Sequence, residues 1–190
     1  MLKPPTDKEI LPKQVGNKTE CGLLNFIVEL RGNYEVIRRN YPEEHFLHVY
    51  TFNSIRKLMA TVIQRSDTIR LHMKGASEIV LQKCTKILNH SGDIIPLTKD
   101  TYNYLLNIVI EPMGCDGLRT ICIAYKDFSS IPEDWNDEST IFEDLTCICI
   151  CGIEDPVRPE VKNSFFSSSF ECFLLLNRFE KRLNNVKKPV

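Results

Sequence analysis

Apolar positions along the chain follow two patterns, one with the period of a helix and one with the period of a strand. Cys21, Leu23, Leu24, Ile27, Val28 and Leu30 recur at helical spacing, which predicts an amphipathic helix. Asn17, three residues ahead of Glu20, makes a capping-box-like opening for it, and Gly32 marks its expected end. A shorter helix is expected over residues 34–39, ending near Pro42. From His45 the pattern turns to strands: residues 47–52, then the turn pair Asn53-Ser54, then 58–64 and 69–73 across the polar Arg65-Ser66-Asp67-Thr68. Lys74-Gly75-Ala76 is expected to break the last of these. Ser77 is expected to cap a helix carrying Ile79, Val80, Cys84, Ile87 and Leu88. After a turn at His90-Ser91-Gly92-Asp93, Thr98 opens a helical segment with Leu105, Leu106, Val109 and Ile110 at its apolar positions, ended by Gly114-Cys115-Asp116-Gly117. Residues 118–125 and 145–153 read as strands, separated by an acidic, Pro-containing loop over 129–138. Strands and helices mixed without regular βαβ alternation predict an α+β fold, a largely antiparallel β-sheet flanked by helices.

Composition narrows the picture. The chain has 190 residues, enough for one domain with a short appendage, and 43% of them are apolar. The organisation expected is an extended lead-in over 1–16, a domain over 17–160, and a divergent tail over 161–190, poorly ordered or marginally helical. With 24 Lys+Arg against 25 Asp+Glu, the formal net charge is -1. No global attraction therefore draws the chain to nucleic acid or to anionic membranes. No apolar run approaches the about eighteen residues of a membrane span, and the N-terminus carries no signal-peptide pattern. The reducing cytosol is thus the expected compartment, where the eight cysteines behave as small hydrophobes. Cys147, Cys149 and Cys151 alternate, so a regular strand would point all three to one face. A three-thiolate metal site is the sharper reading and core packing the plainer one, because no nearby His supplies a fourth ligand. No resident metal site is expected.

Candidate chemistry sits in three clusters. Phe52-Asn53-Ser54-Ile55-Arg56-Lys57 sets an aromatic at a strand end before two cations. An exposed ring can stack a nucleobase while Arg and Lys meet phosphate; the plainer reading is a core Phe with solvated cations. In Lys74-Gly75-Ala76-Ser77-Glu78, a Gly ahead of a helix N-terminus would let a ligand reach backbone amides. The spacing is not that of a Walker loop, and the alternative is a capped strand-to-helix turn. Asp116-Gly117-Leu118-Arg119-Thr120 sets an Arg early on a strand, or simply a surface cation beside a carboxylate. No Gly-x-Ser-x-Gly, His-Glu-x-x-His or Gly-x-Gly-x-x-Gly pattern occurs. His72, opposite in parity to Leu71 and Met73, reads as a sheet-surface residue.

In order along the chain, these clusters join Val15-Gly16-Asn17-Lys18-Thr19-Glu20-Cys21 before them and Gly152-Ile153-Glu154-Asp155-Pro156-Val157-Arg158-Pro159-Glu160 after them. The set resembles the nucleotide-binding domain of P-type ATPases over about residues 4–161. It is most similar to that of the plasma-membrane calcium pumps, which are calmodulin-regulated in many organisms. The resemblance implies an ATP (Mg-ATP) ligand, with Phe52 stacking on adenine and Glu20 contacting the adenine side. It implies that Arg56, Lys57 and Lys74 line the pocket, that Gly75 and Ala76 shape its floor, and that Arg119 reaches toward the phosphates. Asp155 and Arg158 match a hinge segment leading back to a phosphorylation domain.

The chain also departs from the family. An Asp-Lys-Thr-Gly-Thr motif, with its phosphorylated aspartate, is absent, as are the downstream Thr-Gly-Asp and Gly-Asp-Gly-x-Asn-Asp motifs. From Lys162 onward the sequence is unrelated to the family. The resemblance then implies a truncated product or gene fragment without transmembrane helices, binding ATP but neither hydrolysing it nor forming an acyl-phosphate. Expected partners are ATP and the parent pump or its other domains. The isolated chain is expected in the cytosol, while the family keeps this domain on the cytoplasmic side of the plasma membrane. The alternative is an interaction module or decayed fragment that no longer binds ATP.

Overall fold

The computed structural model describes residues 2–3, 13–14, 17–65, 67–132, 134–154 and 173–174. The chain forms two compact units, Met1–Glu44 and His45–Val190. The expected tail over 161–190 lies outside the described residues except for its pair 173–174, and most of the lead-in lies outside them too.

In the first unit, β1 (Leu2–Lys3) pairs antiparallel with β2 (Lys13–Gln14). Helix α1 (Lys18–Glu29) starts where the sequence places it. The Asn17 side-chain oxygen accepts the N–H of Thr19 at 2.9 Å and of Glu20 at 3.4 Å, satisfying two of the helix's open donors. The stop differs by one residue from expectation. Arg31, not Gly32, takes the left-handed conformation (φ 60). The N–H of Arg31 donates to the Val28 carbonyl at 2.9 Å and that of Gly32 to Ile27 at 2.8 Å, the paired bonds of a Schellman ending. Gly32 serves close packing instead, since a Cβ there would lie 2.8 Å from Ile27 Cγ2. Helix α2 (Tyr34–Asn40) is capped the same way by Asn33.

The second unit is a sheet built from β3 (Phe46–Asn53), β4 (Leu58–Gln64), β5 (Ile69–Ala76), β6 (Cys84–Leu88), β7 (Ile94–Pro96), β8 (Arg119–Phe128) and β9 (Leu145–Ile153). Their spatial order is β3-β4-β5-β8-β9-β6-β7, and the two-residue β10 (Phe173–Leu174) also pairs with β9. Only the β6–β9 pair is parallel among the described strands. The fold is α+β with a largely antiparallel sheet, as predicted. Helices α3 (Ser77–Gln82), α4 (Lys99–Tyr104), α5 (Glu111–Cys115) and α6 (Glu138–Ile141) accompany it. Between α4 and α5, Leu105–Ile110 is wound as a π-helix, and the N–H of Glu111 reaches back to the Leu106 carbonyl. A wider turn at this point relieves the clash that Pro112 would otherwise make with the carbonyl four residues earlier.

Burial alternates along β5. On β5, Ile69, Leu71, Met73 and Gly75 are buried while Arg70, His72, Lys74 and Ala76 are not. The inward set joins Leu58, Ala60 and Val62 of β4, Cys122 and Ala124 of β8, and Cys147 and Ile150 of β9. Val80 and Leu81 of α3, Leu105, Val109, Ile110 and Met113 of the α4–α5 run, and Ile141 and Phe142 by α6 close this core from one side.

Four expectations are corrected by pairing. Lys74-Gly75-Ala76 does not break β5 but continues it, with Gly75 opposite Leu58 on one side and Cys122 on the other. Ser77 is not a cap: Ala76 holds that position without a side-chain bond, and the Ser77 hydroxyl is buried inside the first turn of α3. The helix expected to run on to Leu88 ends at Gln82, and Cys84–Leu88 is a strand. Its i, i+3, i+4 apolar spacing is genuine, but ladder bonds to β9 and β7 outweigh so short a helical pattern. Cys147, Cys149 and Cys151 do not share a face. A bulge places Cys147 opposite Ala124 but Cys149 opposite Ile123, so the strand switches parity between them.

Candidate functional site

The β3–β4 connection is a tight turn whose geometry follows from its residues. The Asn53 side chain accepts the Ile55 N–H at 2.7 Å, and the Asn53 carbonyl accepts the Lys57 N–H at 2.7 Å. Lys57 takes a left-handed conformation (φ 53) to re-enter the ladder. Its carbonyl then accepts the Ala76 N–H at 2.9 Å, which ties the turn to the end of β5. Gly75 is what permits this approach: a Cβ there would lie 2.6 Å from both the Lys57 carbonyl oxygen and Leu58 Cβ. Its glycine is thus accounted for by strand packing.

Phe52, just before the turn, is 63% exposed. The ring therefore lies outside the core, and the core-Phe reading of this motif fails. Lys57 is exposed as well. Arg56 is committed inward: its guanidinium pairs with Glu138 and donates to the Thr51 carbonyl at 2.7 Å. It clasps the turn to α6, a partner 82 residues away that no local motif announces.

Ladder register places the other candidates. Lys74 lies opposite Met59 and Ile123, and Ala76 opposite Ile121. Directly opposed residues share a face, and Arg119 is two residues from Ile121 on the same strand. Lys74, Ala76 and Arg119 therefore sit on the sheet face opposite the core, toward the end at which the β3–β4 turn is fastened. Arg119 follows directly on a Schellman ending in which Gly117 (φ 78) terminates α5 and the Leu118 N–H bonds the Met113 carbonyl at 3.0 Å. Phe52, Lys57, Lys74, Gly75, Ala76 and Arg119, scattered over 68 positions, so converge on one end of one sheet. Glu20 lies in the first turn of α1 in the first unit. Asp155 and Arg158 lie outside the described residues.

The rest of the face is electrostatically organised. Arg70 and Asp127, directly opposed on β5 and β8, form a two-pronged pair at 2.6 and 2.7 Å, and the guanidinium lies 4.2 Å from the Tyr125 ring centre. The Arg70 hydrogen bonds hold the Asp127 carboxyl below its usual range. Crowding by protein atoms, then Arg70 and Arg65, lower the pKa of His72. It is exposed on the sheet surface as expected. On the core side, the Tyr50 hydroxyl donates to the Trp135 carbonyl at 2.5 Å, and burial followed by Glu138 and Asp134 pushes its pKa up to about 12. Among the described residues no group of His, Cys, Asp or Glu is arranged to hold a metal ion. Chemically, this end of the sheet offers a planar apolar ring, lysine and arginine charges, and little bulk at Gly75 and Ala76.

The family described as P-type ATPase, cytoplasmic domain N, matches residues 4–160, and the chain belongs to that family. Among individual relatives, it is 57% identical over 165 residues to plasma membrane calcium-transporting ATPase 2 of Oreochromis mossambicus, covering 86% of this chain and 15% of that protein. It is 51% identical over 164 residues to plasma membrane calcium-transporting ATPase 4 of Homo sapiens, with 86% and 13% covered. For plasma membrane calcium-transporting ATPase 3 of Rattus norvegicus the figures are 54% over 162 residues, with 84% and 13% covered. The chain thus spans about one seventh of the length of these relatives. No helix among the described residues is long and apolar enough to cross a membrane.

Proposed function

We propose that this chain binds ATP, as the nucleotide-binding part of a calcium pump of the plasma-membrane type, on the cytoplasmic side. The observation that carries the reading is the exposed Phe52 ring beside a turn fastened to the strand end that bears Lys74, Gly75 and Ala76. Adenine stacks on Phe52. Lys57 and Lys74 meet the ribose-phosphate side, and Arg119 meets the phosphate chain. Base–aromatic stacking contributes about 1–3 kcal/mol by analogy with other base-binding proteins, and each cation adds a charge-assisted contact. Arg56 acts through the turn it clasps. The chain's own residues bind and orient the nucleotide; hydrolysis and calcium transport belong in this reading to a whole pump. Its carboxylate nucleophile and magnesium would come from outside this sequence.

Binding to an open site with one stacking ring is weak, on the order of 0.1–1 mM, or about −4 to −5.5 kcal/mol. Titration of Mg-ATP against the isotope-labelled chain, followed by backbone amide shifts, should move resonances of residues 52–57, 74–76 and 119. Phe52→Ala, shown folded by its spectrum, should lose measurable binding. Unchanged binding by that folded variant would defeat the adenine assignment. Incubation with labelled ATP should yield no hydroxylamine-sensitive phosphoprotein; if one formed, the chain would hold a nucleophile this reading denies it.

A further inference from the structure

Strand β9 carries a Cys-x-Cys pair that lies outside the main hydrophobic cluster. Beyond the bulge, Cys149 and Cys151 fall on the outer face, and their sulfurs stand 3.8 Å apart. Cys147 instead turns to the core, 3.6 Å from Cys122, where both are essentially inaccessible at 1% and 0% exposure. The two dithiols therefore differ in access. Cys149 is half-buried, and Cys151 is buried directly behind it along the strand. We propose that Cys149 and Cys151 form a modification site that takes a low-molecular-weight disulfide such as oxidised glutathione and closes to an intramolecular disulfide.

The step balances without any other reagent. The Cys149 thiolate attacks one sulfur of the glutathione disulfide, forming a mixed disulfide and expelling one glutathione thiolate. The Cys151 thiolate then attacks the Cys149 sulfur and expels the second. The two cysteine protons end on the two glutathiones. Cys149 is the attacking residue because it alone of the pair reaches solvent. Cys151 needs only to reach its neighbour. Residues two apart on an extended strand have Cα atoms about 6.7 Å apart, at the upper end of the roughly 4.4–6.8 Å that a disulfide spans. Closure must draw the strand together, so the bond is of the labile, readily reduced kind. Its place gives the modification a consequence. Cys149 shares a ladder row with Ile123 and Lys74, and Cys151 shares one with Ile121 and Ala76.

The test is mass mapping of the intact folded chain after exposure to oxidised glutathione. The peptide holding residues 149 and 151 should lose two hydrogens and return to its starting mass with dithiothreitol. Cys115, exposed at the end of α5, should stop at the glutathione adduct and serves as the control for reagent access. Cys151→Ser should trap Cys149 as the mixed disulfide, and Cys149→Ser should leave Cys151 unmodified. A Cys122–Cys147 bond forming first, or an unmodified Cys149 in a chain whose Cys115 is glutathionylated, would overturn the proposal. A stable adduct at Cys149 in the unmutated chain, with Cys151 still a thiol, would overturn it equally.

Discussion

The two faces of strand β5 are made by the same eight residues and have opposite tasks. Leu71, Met73 and Gly75 face a core closed by α3, the α4–α5 run and α6. Arg70, His72, Lys74 and Ala76 face the other way, where a bidentate ion pair, a cation over a tyrosine ring and a lysine take the place of packing. Position for position, one face is specified by shape and the other by charge. Substitutions at Leu71 and Met73 should therefore change stability far more than ligand chemistry, and those at Lys74 should do the reverse.

The strongest attempt to break that division is Leu71→Ala. Leu71 is wholly buried, so the cavity should cost about 2–5 kcal/mol of unfolding free energy, read by denaturant titration. Whatever fraction remains folded should bind Mg-ATP as the parent does. Phe52→Ala is the converse. At 63% exposure its loss should change stability by about 0.5 kcal/mol or less, while weakening ATP binding by the about 1–3 kcal/mol assigned to stacking. A large drop in melting temperature for this variant would place Phe52 in the core and remove the contrast.

Tyr50→Phe probes the shape-determined side through the hydroxyl's bond to the Trp135 carbonyl. Removing the hydroxyl leaves the Trp135 carbonyl without its donor and should cost about 1–2 kcal/mol. The hydroxyl's pKa is raised to about 12 in the folded chain, so its contribution is fully present below the ordinary value of about 10. It is lost as pH rises through 12. The gap between Tyr50→Phe and the parent should thus narrow in that alkaline window, measured by chemical denaturation.

The smallest expected effect is on the charged face. Arg70 and Asp127 are partly exposed, so Asp127→Asn should cost no more than about 1 kcal/mol, and less in high salt. The folded-state pKa of Asp127 is depressed, so the pair's contribution is present above the unfolded carboxylate value of about 3.9. It is lost as pH falls through the depressed value. Parent and variant should converge in stability at the acid end. A gap that persisted there would mean that Asp127 acts by packing.

Much of the fold could be read directly. The bounds of β4 and β9 coincide with those expected from the apolar runs, and Asn17 announces its helix because capping is a local bond between near neighbours. The misreadings share one cause. Cys84–Leu88 has a helical apolar rhythm yet becomes a strand because β9 lies beside it, and the bulge in β9 that parts Cys147 from Cys149 is set by register with β8. Strand β7 and helix α6 are too short to carry a pattern of their own. For the site, Phe52, Lys57, Lys74 and Arg119 were visible as residues in motifs, whereas the diversion of Arg56 to Glu138 was not.

Read residue by residue, the chain shows which residue types are available for chemistry, where it changes from helix period to strand period, and to which family its motifs belong. These are properties of neighbours along the chain, governed by spacing and local hydrogen bonding. Contacts between strands far apart in sequence settle that Phe52 stays in water, that Gly75 is a glycine to let Lys57 pass over it, and that Cys149 and Cys151 lie on the face opposite Cys122 and Ile150. Each of those outcomes depends on which strand lies alongside. Strand pairing joins residues distant in sequence through backbone groups that every residue carries alike, so side-chain pattern alone underdetermines it.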